Sequence, residues 1–333
     1  MQSTEIRLKR RPTGMPERDD FEAVQVEVPE PAQGEVQVQN LCMSVDPYMR
    51  GRMVDRKSYV PPFQVGEALT GGAIGRIVRS AHPDYPEGEI VESSFGWREA
   101  FTAPAGQTRR LGELAAPASA YLGVLGMPGM TAYVGLFGAA SLKDQETVFV
   151  SGAAGAVGSI AGQIAKLKGC RVIGSAGNAD KTAWLTGELG FDSAFDYHQG
   201  RILDHLREGA PDGIDVYFDN VGGDHLEAAL FHMRPFGRIA LCGAISQYNA
   251  TGPVPGPSNL VMAIGLGLTL RGFIVSHFDY MADDFRRDMA AWVNDGQIRY
   301  QETVYDGIDK APDAFIGLFT GANVGKMIVK LAD

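Results

Sequence analysis

The sequence predicts an α/β protein in which a compact β domain precedes a doubly wound parallel sheet. Three observations carry that expectation: a change of texture near Met127, strands alternating with helices beyond it, and a glycine-rich turn, Gly152–Gly158, set between a strand and a helix. A length of 333 residues suits two domains of ordinary size.

Before Met127 the chain holds short β-like runs broken by Pro and Gly: Ala23–Val28, Glu35–Leu41, Gly72–Val78 and Glu89–Ser94. The alternation Glu35-Val36-Gln37-Val38-Gln39 reads as a half-buried strand, and no long helical period interrupts the region. After Met127 the candidate strands are Thr147–Ser151, Arg171–Gly174, Ile214–Asn220, Arg238–Gly243 and Leu268–Val275. Helical stretches lie between them at Ala156–Lys168, Ala179–Leu189, Asp224–Met233 and Asp283–Asn294, which implies crossover units and a parallel sheet. A last β-like run, Gly325–Leu331, is placed to return to the first domain and make it discontinuous. Met127, Met130 and Tyr133 read as core packing on a helix.

Composition excludes several classes of function. Lys and Arg total 30 against 40 for Asp and Glu, a net charge of −10, so a phosphate backbone is repelled and nucleic acid is not an expected partner. Cys42, Cys170 and Cys242 are too few and too scattered for a disulfide framework or a four-cysteine zinc lobe, and they suit a reducing cytosol. Residues 1–11 carry Arg and Lys with no apolar stretch behind them, so no signal peptide is expected. The longest apolar run, Leu260–Leu270, falls well short of the about 20 residues a bilayer span needs. The expectation is a cytoplasmic protein with no membrane attachment.

The chemistry begins at Thr147–Ser151, which leads into Gly152-Ala153-Ala154-Gly155-Ala156-Val157-Gly158 and then a helix. Glycines at this spacing let the backbone turn sharply and approach a pyrophosphate, while the helix start offers N–H groups and a positive dipole end. That makes Gly152, Ala154, Gly155, Ala156, Val157 and Gly158 the expected cradle of a Rossmann-type dinucleotide site. About 20 residues further on, an NAD site offers an acid to the ribose hydroxyls. Here Cys170–Asn178 ends without one, and Ser175 and Lys181 stand where a 2′-phosphate wants donors. NADPH is therefore the expected cofactor.

With that motif placed behind a β domain, the chain resembles the medium-chain dehydrogenase/reductase superfamily. The blocks Asp46–Met53, Gly126–Tyr133, Tyr217–Gly223, Cys242–Asn249 and Asn323–Met327 resemble its zinc-free prostaglandin/alkenal reductase branch, and the likeness runs through nearly the whole chain. The resemblance implies a GroES-like catalytic domain from residues 1–126 and 299–333, and a Rossmann NADPH-binding domain from 127–298. It implies a homodimer as well. It implies Tyr197 near the adenosine and Asn220 near the nicotinamide. Cys242, Gly243, Ala244, Ile245, Ser246 and Tyr248, then Phe273, Ile274 and Val275, and finally Asn323 complete the implied cofactor set. Zinc-bearing members show Gly-His-Glu where this chain reads Val65-Gly66-Glu67, so no metal is expected.

The reaction implied is reduction of the C=C bond of an α,β-unsaturated aldehyde or ketone. Hydride attack at the β-carbon throws negative charge onto the carbonyl oxygen, and without a metal that enolate needs hydroxyl or amide donors. Tyr248, past the end of the fifth strand, is the expected donor, with the cofactor's ribose hydroxyl beside it; the alternative for Tyr248 is a surface tyrosine in a loop. Tyr48, after Asp46-Pro47, is the second catalytic candidate, against an aromatic anchor in a turn. Arg50 and Arg52 nearby read as solvated loop cations. The Pro- and Gly-rich loop Gln247–Asn259 is expected to shape the pocket. Two other readings stay open: an NADPH quinone oxidoreductase of the same superfamily, and a non-catalytic NADPH-binding redox sensor.

Overall fold

The computed structural model describes residues 1–332. Seven strands open the chain: β1 (Gln2–Leu8), β2 (Phe21–Glu27), β3 (Glu35–Ser44), β4 (Ala73–Ser80), β5 (Ile90–Ser93), β6 (Ala100–Pro104) and β7 (Thr108–Arg110). Six follow with helices between them: β8 (Thr147–Val150), β9 (Arg171–Ala176), β10 (Ser193–Asp196), β11 (Ile214–Asp219), β12 (Met233–Leu241) and β13 (Thr269–Gly272). Two short strands, β14 (Glu302–Asp306) and β15 (Lys326–Lys330), come last. The chain falls into two compact units, one of Met1–Leu122 with Glu302–Asn323 and the residues from Met327 on, the other of Gly123–Gln301 with Val324–Lys326.

In the first unit the strands β1 and β2, β3 with β4, β6 and β15, β4 with β5, and β5 with β7 pair antiparallel. Its main sheet runs β14-β15-β3-β4-β5-β7, with β6 also on β3, and β1 pairs with β2 apart from it. The C-terminal return is present: β15 lies against β3 with Ile328 opposite Ser44 and Lys330 opposite Cys42. The strand β3 has neighbours along both edges, and most of it is buried on both faces rather than one, unlike the half-buried strand its alternation suggests. Trp97 anchors this unit's core, stacked on Phe21 at 5.9 Å and edge-on to Phe315 at 6.0 Å.

The second unit is a six-stranded sheet, parallel throughout, in the order β10-β9-β8-β11-β12-β13. The first three strands are laid outward in one direction and the next three in the other, so the winding reverses between β8 and β11. Ligands of open α/β sheets sit outside the carboxyl ends of the strands at this reversal. The helices Ile202–Gly209 and Gly223–His232 seal one face, burying Leu206, Ala229 and Leu230 against Phe149, Ile173, Phe195 and Tyr217. The helix Gly158–Leu167 packs tightly at Gly162, where a Cβ would lie 1.9 Å from the ring of Phe191. Among the described residues no helix is long and apolar enough to cross a membrane.

Several elements differ from the sequence expectation. The strand β12 starts at Met233, five positions before Arg238, and slips its register against β11 between Ile214 and Val216. Of the three residues read as helix core, Tyr133 is buried but Met127, at the helix start, is exposed.

Candidate active site

The glycine turn lies at the winding reversal. Gly152 follows β8 with φ +58°, a conformation other residues adopt only with strain. Gly158 opens the helix, and a Cβ there would stand 2.5 Å from the carbonyl oxygen of Gly152. No side chain caps this helix, so its first turn presents backbone amides and the positive end of the dipole. A second strand of backbone braces the turn. The N–H of Gly325 donates to the Ala154 carbonyl at 2.8 Å, and Gly155 and Gly325 form a parallel bridge. Gly325 itself has φ +65°, and a Cβ on it would fall 1.9 Å from the Gln301 carbonyl oxygen.

At the carboxyl ends of β9 and β10 stand the three residues expected on the phosphate and adenosine side. Ser175 receives the Ala153 N–H on its carbonyl at 2.8 Å. Its hydroxyl is wholly buried and has no partner, so contact with a phosphate through that hydroxyl requires local opening. Lys181 is in the first turn of the helix Ala179–Gly187, where its N–H donates to the Asn178 side chain at 2.9 Å. Burial pushes its ammonium below the usual lysine range, because desolvation disfavours the charge. Tyr197 is one residue past β10 and 39 % exposed, its ring edge-on to His225 at 5.3 Å.

The residues expected on the nicotinamide side lie on two stacked turns. Asn220 follows β11, and its side-chain N–H donates to the Ser151 carbonyl at 2.8 Å. The N–H groups of Cys242 and Gly243 both donate to the Asp219 carbonyl, at 2.9 and 3.0 Å. The Ile245 N–H reaches the Asn220 carbonyl, and the Ser246 hydroxyl reaches that of Val221 at 2.6 Å. The phenol oxygen of Tyr248 accepts the Ala244 N–H at 3.2 Å. Burial pushes the Cys242 thiol up to about 12, which makes it a packing group rather than a nucleophile. The Phe273 ring is likewise core, edge-on to Phe218 and Phe278 at 6.2 Å, so any cofactor contact along Phe273, Ile274 and Val275 falls to backbone and to the latter two side chains.

The chain matches a family model described as the N-terminal domain of oxidoreductase over residues 4–111, and one described as zinc-binding dehydrogenase over residues 156–295. It is 44 % identical to prostaglandin reductase 1 of Rattus norvegicus, covering 97 % of each chain. It is 40 % identical to the NADP(+)-dependent 2-alkenal reductase of Nicotiana tabacum, covering 98 % of this chain and 97 % of that one. The structure of CurA from Vibrio vulnificus in complex with NADPH superposes with a TM-score of 0.95 at 40 % identity, covering 99 % of both. The chain belongs to the alkenal/prostaglandin reductase branch of the medium-chain dehydrogenase/reductase superfamily. It is an oxidoreductase with the Rossmann and GroES-like folds of that superfamily.

Although one matching family is described as zinc-binding, among the described residues of this reductase no three His, Cys, Asp or Glu side chains are grouped to hold an ion. Tyr48 and Asn323 belong to the first unit. Burial, reinforced by Asp46, raises the Tyr48 phenol above the usual tyrosine range, and a hydrogen bond with Arg52 pulls the other way. Of the two nearby arginines, Arg50 is buried and Arg52 half-buried. Arg50 is 3 % exposed and donates to the Gly14 carbonyl at 2.9 Å. Arg52 donates to the Pro61 carbonyl and the Thr70 hydroxyl, both at 2.9 Å, with its guanidinium 3.9 Å over the Phe63 ring. Planar donors with many N–H groups are held this way by loop carbonyls, which the residue type alone does not reveal. Sequence reasoning also missed Ser151, Tyr217 and Asp219, which link β8 to β11 beneath the site.

Proposed function

We propose that this reductase uses NADPH to reduce the C=C bond of α,β-unsaturated aldehydes or ketones without a metal, with Tyr248 as the donor to the carbonyl oxygen. The observation that carries the reading is the placement of Tyr248 on the turn stacked over Asn220, beyond the carboxyl ends of β11 and β12. An N–H bond into the phenol oxygen polarises its O–H and strengthens it as a donor.

The residues fit the cofactor. The left-handed turn at Gly152, the uncapped helix at Gly158 and the bracing Gly325 form a cradle in which a side chain at Gly158 or Gly325 would collide with the backbone. In this reading Ala154, Gly155, Ala156 and Val157 hold the pyrophosphate. Lys181, with Ser175 and Tyr197, holds the 2′-phosphate and adenosine. Asn220, the turn from Cys242 through Gly243, Ala244, Ile245 and Ser246, the stretch Phe273–Val275 and Asn323 complete the set. When bound, the cofactor supplies a hydride to the β-carbon and a ribose hydroxyl as a second donor. The chain's part is to orient the enone, exclude water, and stabilise the enolate oxygen through the Tyr248 O–H. Tyr48, in the first unit, is the second catalytic candidate.

The same proposal takes residues 1–126 and 299–333 as the catalytic domain and 127–298 as the NADPH-binding domain. It includes a cytoplasmic homodimer, supported by the free cysteines and by the exposed apolar residues Phe236, Val261 and Ile264 beside the sheet edge at β13. The relatives' names, prostaglandin reductase and 2-alkenal reductase, support the substrate class. The test is NADPH consumption over enals, enones, quinones and alcohols, with product analysis. Saturated carbonyl products are expected; turnover confined to quinones would replace this reading with a quinone reductase.

A further inference from the structure

Asp219 ends β11 and is 1 % exposed. A buried carboxylate costs several kcal/mol unless donors surround it. Here they do. Its Oδ1 accepts the Tyr217 hydroxyl at 2.7 Å, the Ser151 hydroxyl at 3.2 Å, and the backbone N–H groups of Val221 and Gly222 at 3.0 and 2.8 Å. Ser151 in turn accepts the Asn220 N–H at 3.0 Å. Tyr217 and Asp219 point to the same face of β11 because they are two residues apart, and Ser151 follows Val150, which pairs with Phe218 across the winding reversal. Burial pushes the carboxyl upward while these donors pull it back toward the ionised form.

The same residue serves the second turn through its main chain. Its carbonyl takes the N–H groups of Cys242 and Gly243, and the Asn220 and Val221 carbonyls take those of Ile245 and Ser246. The turn at 219–222 is thus the platform on which the turn at 242–248 rests. Gly222, with φ +70°, leaves only 3.0 Å between a would-be Cβ and the Ala244 side chain, so the two turns have no slack between them.

We propose that Asp219 is a positioning residue: its carboxylate, with Tyr217 and Ser151, fixes the turn that carries Asn220 and thereby sets where the Tyr248 phenol stands. The inference rests on the reading of Tyr248 as the donor to the substrate oxygen. Lys181 is no member of this network, whereas Ser151 directly precedes Gly152 and a would-be Cβ on Gly152 meets the Asn220 Cβ at 3.6 Å, so the test compares the loss in turnover with the loss in cofactor affinity.

The experiment compares Asp219→Asn, Tyr217→Phe and Ser151→Ala with the parent enzyme. Asn is close to isosteric with Asp and can keep its amide oxygen at the Oδ1 position, but it removes the negative charge and puts an NH2 group in place of Oδ2; Phe and Ala remove one donor each. The readouts are steady-state enone reduction, NADPH affinity, the fluorescence of bound NADPH as a report on the nicotinamide pocket, and melting temperature. Expected are a loss in kcat of at least tenfold for Asp219→Asn and a smaller loss for Tyr217→Phe, in both a fall in kcat larger than the fall in NADPH affinity, and altered nicotinamide fluorescence. Should Asp219→Asn fail to fold, Tyr217→Phe and Ser151→Ala decide. Unchanged kcat and fluorescence in the folded variants, or losses explained by unfolded protein, would overturn the proposal. If the parent enzyme does not reduce enones, the functional reading fails on its own, and bound-NADPH fluorescence still judges whether Asp219 shapes the pocket.

Discussion

The phenol oxygen of Tyr248 accepts the backbone N–H of Ala244, four residues earlier, at 3.2 Å, folding the side chain back over the start of its own turn. In the proposed role of Tyr248 that bond holds the ring in place before substrate arrives, the preorganisation that makes a donor effective toward a developing oxyanion. In Tyr248→Phe the ring remains and both hydrogen-bonding functions go. Enone reduction should lose roughly 10²–10³ in kcat, the usual cost of one oxyanion donor, with the KM for NADPH within about threefold. Turnover at the parent rate would remove Tyr248 from the chemistry.

Lys181 gives up hydration to stand in the first turn after β9, a cost that an anionic ligand recovers. Lys181→Ala should raise the KM for NADPH by about 10- to 100-fold, the worth of one charge-assisted hydrogen bond, and should change that for NADH little. Titrating both coenzymes against the variant is enough. Equal losses would show that the ammonium does not read the 2′-phosphate.

Gly325 is a residue whose importance is steric. With φ +65° and only 1.9 Å between a would-be Cβ and the Gln301 carbonyl oxygen, alanine cannot enter without moving backbone. That backbone donates to Ala154 and bridges Gly155. Gly325→Ala should therefore lower both melting temperature and NADPH affinity, the latter by at least tenfold. Calorimetry showing a lower melting point with undiminished NADPH binding would mean the brace does not shape the cradle.

What the sequence reveals and what it hides divide along physical lines. The turn at Gly152–Gly158 is legible because its requirements are local: a positive φ at Gly152, a Cβ at Gly158 that would strike backbone, a buried strand before, a helix after. The return of β15 to β3 is visible as a short β-like run, Gly325–Leu331, though not its register. The strand β1 is hidden because Gln2–Leu8 is polar at most positions and only its pairing with β2 and its packing beneath Trp97 make it a strand. Asp219 is hidden for a different reason. Its hydroxyl partner Ser151 lies 68 residues away in the chain, and only the winding of the sheet brings them together. Arg50 illustrates the same limit, since no spacing in the sequence shows which loop carbonyls will take its N–H groups.

The last prediction concerns acid. His225 is 4 % exposed, its Nε2 is buried without a partner, and its ring lies parallel to that of Phe149 at 6.4 Å. Burial lowers its pKa to about 4 from 6.5. Between those values the unfolded chain binds a proton that the folded chain refuses, so stability rises with pH across the window and is lost as pH falls from 6.5 toward 4. At about 1.4 kcal/mol per pH unit the whole window is worth on the order of 3 kcal/mol. In His225→Phe the stack on Phe149 and the edge contact with Tyr197 can persist while the titrating group disappears. The variant should therefore melt near the parent at pH 7.5 and several degrees above it at pH 4.5. Melting curves that run parallel from pH 7.5 to 4.5 would show that His225 takes its proton without cost.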